Sequence, residues 1–177
     1  MLRLHVSARF ARVFRCELGG ESQTENRPDL LAIWSVDVCT VPRLGRFVLF
    51  SEEHSLFTIV ISSGYGRSTA SVLERFQRRR EELTRELGLS GLAPSSSATL
   101  HFGKRTNRHI IGSQNDLIYL LRGYLDLENA APPLEGQRLQ KVEESLNRAP
   151  MSYLGMKSPR AALVHCYDTS RNSRATN

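Results

Sequence analysis

The sequence of 177 residues lacks several features that define common protein classes. Its only cysteines, Cys16, Cys39 and Cys166, are widely spaced, with no C-x-x-C pair and no Cys/His pairing at zinc spacing. A disulfide framework or a structural zinc site is therefore not expected. No apolar run approaches the roughly 20 residues of a membrane span, and residues 1–15 lack the continuous apolar stretch of a secretory signal. We expect a cytoplasmic protein with free thiols and no membrane partner.

The motifs of several enzyme classes are missing as well. The sequence contains no Walker loop, no G-x-G-x-x-G, no G-x-S-x-G and no H-E-x-x-H. Phosphate-loop ATPases, dinucleotide oxidoreductases and elbow-type hydrolases are therefore poorly supported. His5, His54 and His165 stand alone, without a carboxylate at ligand spacing. We expect neither a metal nor a cofactor.

Lysine is scarce, although the chain is basic. Only Lys104, Lys141 and Lys157 are lysines among 24 basic residues, which exceed the 18 acidic ones and give a net charge of +6. A positive balance favours anionic partners, and the guanidinium fork matches phosphate oxygens. Codon bias in a GC-rich gene would give the same composition without any function.

Hydrophobic periodicity predicts a single α+β domain over residues 1–167, followed by a flexible tail over 168–177. Alternating or short apolar runs predict five strands, at residues 2–6, 34–39, 47–50, 57–61 and 98–102. Apolar residues at helical spacing predict helices later in the chain. Strands that cluster before helices favour an antiparallel sheet of four to six strands, with three to four helices packed on one face.

Three helix starts can be read from capping residues. Ser71-x-x-Glu74 is a capping box, with Ser68 as an alternative start. Ser113, after Gly112, resembles the cap of the next helix, and Ser158-Pro159 is typical of the first positions of the last one. Between residues 75 and 85 arginines alternate with glutamates, which predicts a solvated helix face rather than a nucleic-acid stripe.

Three segments resemble a family of uncharacterised bacterial domains, a domain of unknown function often found near mobile DNA. They are residues 34–61, residues 106–121 with the box N-R-H-I-I-G-S-Q-N-D (107–116), and residues 146–159 with L-N-R-A-P-M-S. We call these two motifs the first box (107–116) and the second box (146–159). The resemblance covers nearly the whole chain and implies a fold but no activity. It also implies a small residue where His109 stands and a methionine where Gln114 stands.

The first box is the most informative stretch for function. A helix that starts at Ser113 and faces a cleft would offer backbone N–H groups to an anion. The basic and polar residues that could join such a site are Lys104, Arg105, Arg108, Ser113, Asn115 and Arg148. We therefore expect a binding module for a nucleic acid or a protein partner, with self-association as a further possibility. The plain alternative is a well-capped helix with no ligand.

A second hypothesis is a small metal-independent ribonuclease of the toxin type. A histidine beside arginines can act as acid or base while the guanidinium groups stabilise the anion. The candidate catalytic residues are His109, Arg108 and His101. The alternative is that His101 is a surface residue of a strand and His109 a residue of a turn.

Overall fold

A computed structural model describes residues 1–19, 31–64, 68–89, 99–127 and 134–175, the last five of these by backbone alone. The strands are β1 (Leu2–Val6), β2 (Ile33–Val41), β3 (Gly45–Glu52), β4 (Thr58–Ser62) and β5 (Leu100–Lys104). The helices are α1 (Ala8–Phe14), α2 (Thr69–Glu86), α3 (Arg108–Leu127), α4 (Gln137–Arg148) and α5 (Pro159–Ala175), with a 3-10 turn at Ser152–Leu154. Within these ranges no helix is both long enough and apolar enough to cross a membrane.

The strands form one sheet in the order β4-β3-β2-β1-β5. β2, β3 and β4 pair antiparallel, because short polar connections allow only a hairpin. β1 runs parallel to both β2 and β5. The α+β class is thus confirmed, and the sheet is mixed rather than purely antiparallel. Strands paired across long stretches of chain leave no local pattern that reveals their direction.

Helices cover both faces of the sheet, whereas packing on one face was expected. Trp34 and Phe50 point into a core that includes Phe10 of α1 and Phe76 of α2. The opposite face belongs to a second core, which joins Phe47 and Leu49 of β3 to Val60 of β4, Leu117 of α3 and Val142 of α4. β3 and β4 are apolar at successive positions, which is typical of strands buried on both sides.

The helix ends agree in part with the predicted caps. The Ser68 hydroxyl accepts the backbone N–H of Ser71 at 3.3 Å, so the start at Ser68 is confirmed and the capping box at Ser71 is wrong. The Ser158 hydroxyl accepts the N–H of Ala161 at 3.2 Å, as predicted. Helix α5 continues to Ala175, within the segment predicted as a tail, and the flexibility of that tail stays a prediction.

A buried carboxylate fixes the turn between β3 and β4. Glu52 is fully buried and accepts the backbone N–H groups of His54 at 3.0 Å and Ser55 at 2.8 Å. Its other oxygen lies 2.8 Å from Nδ1 of His54. This hydrogen bond raises the pKa of His54. Hydrogen bonds to the Glu52 side chain therefore stabilise this turn.

Candidate functional site

Helix α3 begins earlier than its sequence suggests. The Oδ1 atom of Asn107 accepts the backbone N–H groups of His109 at 3.1 Å and Ile110 at 3.4 Å. Asparagine is among the preferred caps, so the helix starts at Arg108. The predicted start at Ser113 is wrong, since Ser113 lies in the second turn and is buried. Ser113 is therefore not available to an anionic ligand.

Gln114 of the first box is the centre of a buried polar cluster. Its side chain has no exposed surface. The Oε1 atom accepts the Ser35 hydroxyl at 3.1 Å and a guanidinium N–H of Arg105. The Nε2 atom donates to the carbonyls of Ser35 at 3.0 Å and Leu49 at 3.3 Å, and lies 3.2 Å from the Ser51 hydroxyl. One amide thus joins α3 to β2 and β3.

Arg105 continues this cluster toward the end of the sheet. Its Nη2 atom lies 3.2 Å from Oδ2 of Asp37, and both side chains are nearly buried. The Oδ1 atom of Asp37 accepts the Ser7 hydroxyl at 2.6 Å, and the same hydroxyl oxygen caps α1 by accepting the N–H of Phe10 at 3.0 Å. The charge of Arg105 is therefore matched inside the protein. It is not a free cation at the surface.

The second box covers the β4 edge of the sheet. β4 is an edge strand, and Asn147 accepts the Thr58 N–H at 2.8 Å while donating to the Thr58 carbonyl at 2.7 Å. One turn earlier on α4, Glu143 accepts the Val60 N–H at 3.0 Å. These side chains take the place of a neighbouring strand. They leave the edge unable to pair with another chain at these positions.

Glu143 also anchors the arginine run of α2. Its Oε1 atom accepts Nε of Arg79 at 3.0 Å and Nη2 at 2.9 Å. Arg79 further contacts Glu82 at 3.3 Å and Glu86 at 3.1 Å, and the next residue, Arg80, is buried. The predicted solvated helix face is therefore wrong for Arg79 and Arg80. Both guanidinium groups face the protein.

A cleft of about 310 Å³ lies between α2 and α4 on the outer side of this ion pair. Its other guanidinium groups are also engaged. Arg75 donates to the Ser62 carbonyl at 3.1 Å and lies 3.6 Å from a carboxylate oxygen of Glu135, and Arg78 pairs with Glu74 at 2.9 Å. The charge along the cleft is cancelled by these partners. The cleft therefore does not favour an anionic ligand.

The pKa of Glu143 makes part of the stability depend on pH. Burial raises this pKa from 4.5 to about 7, against the opposing effects of Arg79 and the Val60 N–H. Because the folded protein holds this proton more tightly than the unfolded chain, the contribution is full below about pH 4.5 and is lost as the pH rises through about 7.

We expect the E143Q variant to lose this dependence. The difference in free energy of unfolding between wild type and E143Q should fall between about pH 5 and about pH 8. Urea unfolding of both proteins over this range measures it. Parallel stability curves for the two proteins would contradict the assignment.

The two boxes are thus joined by one hydrogen-bonded network beneath α3 and α4. It links Gln114 of the first box to Asn147 of the second through a 2.9 Å contact between the hydroxyls of Ser51 and Thr58. The residues along it, in order, are Ser7, Asp37, Arg105, Gln114, Ser51, Thr58 and Asn147. Buried polar groups need such partners. A structural role in this network is enough to explain these residues, without a ligand.

The boxes also leave a set of side chains at the surface. Arg108, His109 and Asn115 on α3 are exposed, as is Arg148 at the end of α4. Arg148 lies 3.7 Å from Glu144, in a pair that is open to solvent. Of the predicted binding residues in the boxes, Arg108, Asn115 and Arg148 can reach a ligand, whereas Ser113 cannot. His109, a predicted catalytic residue, is exposed beside them. Nothing in the sequence separated the exposed set from the buried one.

The exposed parts of the two boxes meet at an aromatic pair. The rings of His109 and Tyr153 lie with centroids 5.9 Å apart and planes inclined by 20°, in a stacked arrangement. Both residues are exposed. His109 could be singled out from the sequence as a candidate catalytic residue, but no sequence pattern indicates that it contacts Tyr153. This contact brings the first turn of α3 beside the turn that follows α4.

Backbone hydrogen bonds close the turn over residues 151–157, which carries Tyr153. Met151 is buried, and its carbonyl accepts the N–H groups of Leu154 and Met156, both at 3.0 Å, while its own N–H donates to the Lys157 carbonyl at 3.1 Å. The backbone turns through Gly155 and Met156, with φ values of 61° and 66°. We call Arg108, His109, Tyr153, Met156 and Lys157 the box surface. All five are exposed.

The remaining histidine candidate lies elsewhere. His101 is in β5, opposite Arg3 of β1, on an exposed part of the sheet, whereas His109 is in the first turn of α3. Lys104, one of the predicted binding residues, is the last residue of β5. The two candidate histidines therefore lie on different elements, β5 and α3. Whether they act in catalysis stays a prediction.

His5 was considered isolated, but it has a carboxylate partner. Its Nδ1 atom lies 2.8 Å from Oε1 of Glu53, with the two side chains 32% and 15% exposed. The residues are 48 positions apart in sequence, so no local pattern could pair them. Within the described ranges no group of three or more His, Cys, Asp or Glu residues could hold a metal ion.

The cysteines are not suited to nucleophilic chemistry. Burial raises the pKa of Cys39 to about 11 and also raises those of Cys16 and Cys166. The thiolate is the reactive form, so these groups remain protonated at neutral pH. The exposed residues of the two boxes offer an imidazole, an aromatic ring and cationic groups.

The chain therefore combines a mixed five-stranded sheet with two boxes that share one buried network and one exposed surface. A family model described as Domain of unknown function (DUF6933) matches residues 9–162, which include both boxes. The protein belongs to this family. A search of the curated proteins finds no match.

Proposed function

We propose that the protein is a binding module for single-stranded nucleic acid, and that the box surface is its contact. The stacked pair of His109 and Tyr153 carries this proposal. Proteins that bind single strands combine aromatic rings, on which bases stack, with cations that follow the backbone. A role as an accessory of mobile DNA, which the resemblance implies, suits such a ligand.

The charges around the pair favour an anionic backbone. Arg108 precedes His109 directly, and Lys157 closes the turn that carries Tyr153. Within the described residues neither side chain forms an ion pair or a side-chain hydrogen bond. Asp116 lies two turns further along α3 and is exposed. Its carboxylate marks the limit of the surface that attracts an anionic backbone.

The turn is also rigid enough to act as a platform. Its backbone hydrogen bonds fix Tyr153 before a ligand arrives, so that little conformational entropy is lost on binding. Met156 is 65% exposed beside it, and a flexible apolar side chain can adapt to different bases. These properties favour binding that tolerates many sequences.

We expect a labelled single strand of about twelve thymidines to bind in a salt-dependent way. With two or three phosphate contacts, the slope of log K against log salt should be about −1.5 to −2, since each contact contributes about −0.7. The Y153A variant should bind about 5- to 150-fold more weakly, because stacking contributes about 1–3 kcal/mol per base.

Tyr119 provides the matched control. It is an equally large aromatic residue on α3 and is 78% exposed, but it lies outside the box surface. Y119A should bind like the wild type in fluorescence anisotropy. Equal weakening by Y119A and Y153A, or affinity that does not change with salt, would contradict the proposal. Absence of binding at low salt would leave a protein partner as the better interpretation of this surface.

A further inference from the structure

The face of β1 and β5 opposite the first core carries a group of polar residues. Leu2, Leu4 and Val6 of β1 are buried in the first core, so the alternation of side chains places Arg3 and His5 on the other face. The register pairs Arg3 with His101 and His5 with Gly103. The same face of β5 therefore carries His101 beside Gly103.

His5 is oriented by two contacts. Its Nδ1 atom lies 2.8 Å from Oε1 of Glu53. A carboxylate at this position favours the tautomer that has its proton on Nδ1, which leaves the lone pair of Nε2 available. A Cβ atom at Gly103 would lie only 3.2 Å from Cδ2 of His5. The ring therefore lies over β5, toward the strand that carries His101.

His101 and Arg3 are available to a ligand. His101 is exposed and Arg3 is half-buried. Within the described residues neither side chain has a hydrogen-bond or ion-pair partner. His101 is the diagonal neighbour of His5 across two parallel strands, and a strand spacing of about 4.8 Å with a two-residue rise of about 6.6 Å corresponds to a Cα separation of about 8 Å. Two imidazoles and one guanidinium thus share one solvent-accessible face.

We propose that this face is a site for the metal-independent cleavage of RNA phosphodiesters. His5 Nε2 takes the proton of the ribose 2′-hydroxyl, and the 2′-oxygen forms a bond to phosphorus. The bond between phosphorus and the 5′-oxygen breaks, and protonated His101 gives its proton to that oxygen. The products are a 2′,3′-cyclic phosphate and a free 5′-hydroxyl, and no oxidant, reductant or metal is consumed.

The other two residues have defined roles in this step. Arg3 is the neighbour of both histidines, opposite His101 and two residues before His5, and stabilises the charge that develops on the non-bridging phosphate oxygens. Glu53 is a positioning residue, which orients His5 and stabilises the imidazolium that forms. The site differs from the box surface and from the predicted pairing of His109 with Arg108. It does not depend on the proposed binding of long single strands.

The test is incubation of the full-length protein with the dinucleotide UpA in excess EDTA, with chromatographic detection of the cyclic phosphate. The wild type should release it, and the deoxyribose analogue should stay intact. His5→Gln and His101→Gln should each lower turnover about 100-fold or more. Glu53→Gln should lower kcat while KM stays unchanged. His165→Gln, which alters an exposed histidine on α5, should cleave like the wild type.

Two outcomes would overturn the proposal. One is the absence of cyclic product from the folded wild type. The other is equal cleavage by wild type, His5→Gln and His101→Gln, which would identify a contaminating nuclease. Thermal melting verifies that each variant is folded. Because His101 is exposed in an edge strand, His101→Gln should fold and still tests the proposal if His5→Gln unfolds. UpA is a dinucleotide, whereas the test of the box surface uses a longer strand of thymidines that has no 2′-hydroxyl, so either test can fail without the other.

Discussion

The Q114M variant should unfold with a free energy lowered by about 2–4 kcal/mol, because several buried polar groups lose a partner at once. Methionine has nearly the same size and shape as glutamine, so the change removes hydrogen bonds without opening a large cavity. The Ser35 hydroxyl and the Arg105 guanidinium, both bonded to Gln114, lose this acceptor. Urea unfolding followed by circular dichroism measures the difference.

Asn115 supplies the control for this prediction. It is the next residue in α3 and is exposed, so N115A should change stability by less than about 0.5 kcal/mol. A Q114M protein as stable as N115A would show that the network contributes nothing. The resemblance implies methionine as the usual residue here. The contacts of Gln114 indicate that such an exchange needs companion changes at Ser35 and Arg105.

The N147A variant should lose about 2–4 kcal/mol of stability, since truncation leaves the buried N–H and carbonyl of Thr58 without a hydrogen-bond partner. Both groups are bonded to Asn147, at 2.8 and 2.7 Å. The edge of β4 would then be open to pairing with another chain, so aggregation at high concentration should rise as well. Urea unfolding and light scattering measure the two effects.

The neighbouring residue tests whether this loss is specific. Arg148 is exposed and paired only loosely with Glu144, and R148A should cost less than about 0.5 kcal/mol. N147D keeps the acceptor for the Thr58 N–H but cannot donate to its carbonyl, and it should be at least as unstable as N147A. If R148A were as harmful as N147A, the second box would act through its surface and not through the sheet edge.

The strands could be predicted well from the sequence because they leave a local signal. Trp34, Val36 and Val38 alternate with polar residues, and the runs around Phe47 and Phe57 are short and apolar. Their hairpin order follows from the short connections. The parallel pairing of β1 with β5 unites residues about a hundred positions apart. No periodicity records such a contact.

The helix starts show why a capping pattern can mislead. Ser113 followed by Asp116 has the form of a first turn, but Asn107 lies earlier and already satisfies the backbone N–H groups. Since Ile110 is fully buried in the second core, packing also favours a helix that includes it. Burial of Ile110 thus favours a helix that begins before Gly112.

The candidate site was harder to predict than the fold. Arg105 and Arg108 look alike in the sequence, yet Arg105 is nearly buried against Asp37 and Arg108 is exposed. His5 appeared isolated because its partner Glu53 lies far along the chain, in the connection between β3 and β4. Whether a polar side chain serves the interior or a ligand depends on three-dimensional burial. The sequence pattern supplies the residue types but not their surroundings.

The most direct test of the box surface is an NMR titration of the isotope-labelled protein with a single strand of thymidines at low salt. The account predicts that the largest amide shifts fall within residues 108–112 and 151–157, and that they shrink as salt is added. Saturating shifts centred on the arginines of α2 would contradict it, and so would a spectrum that does not change at millimolar oligonucleotide.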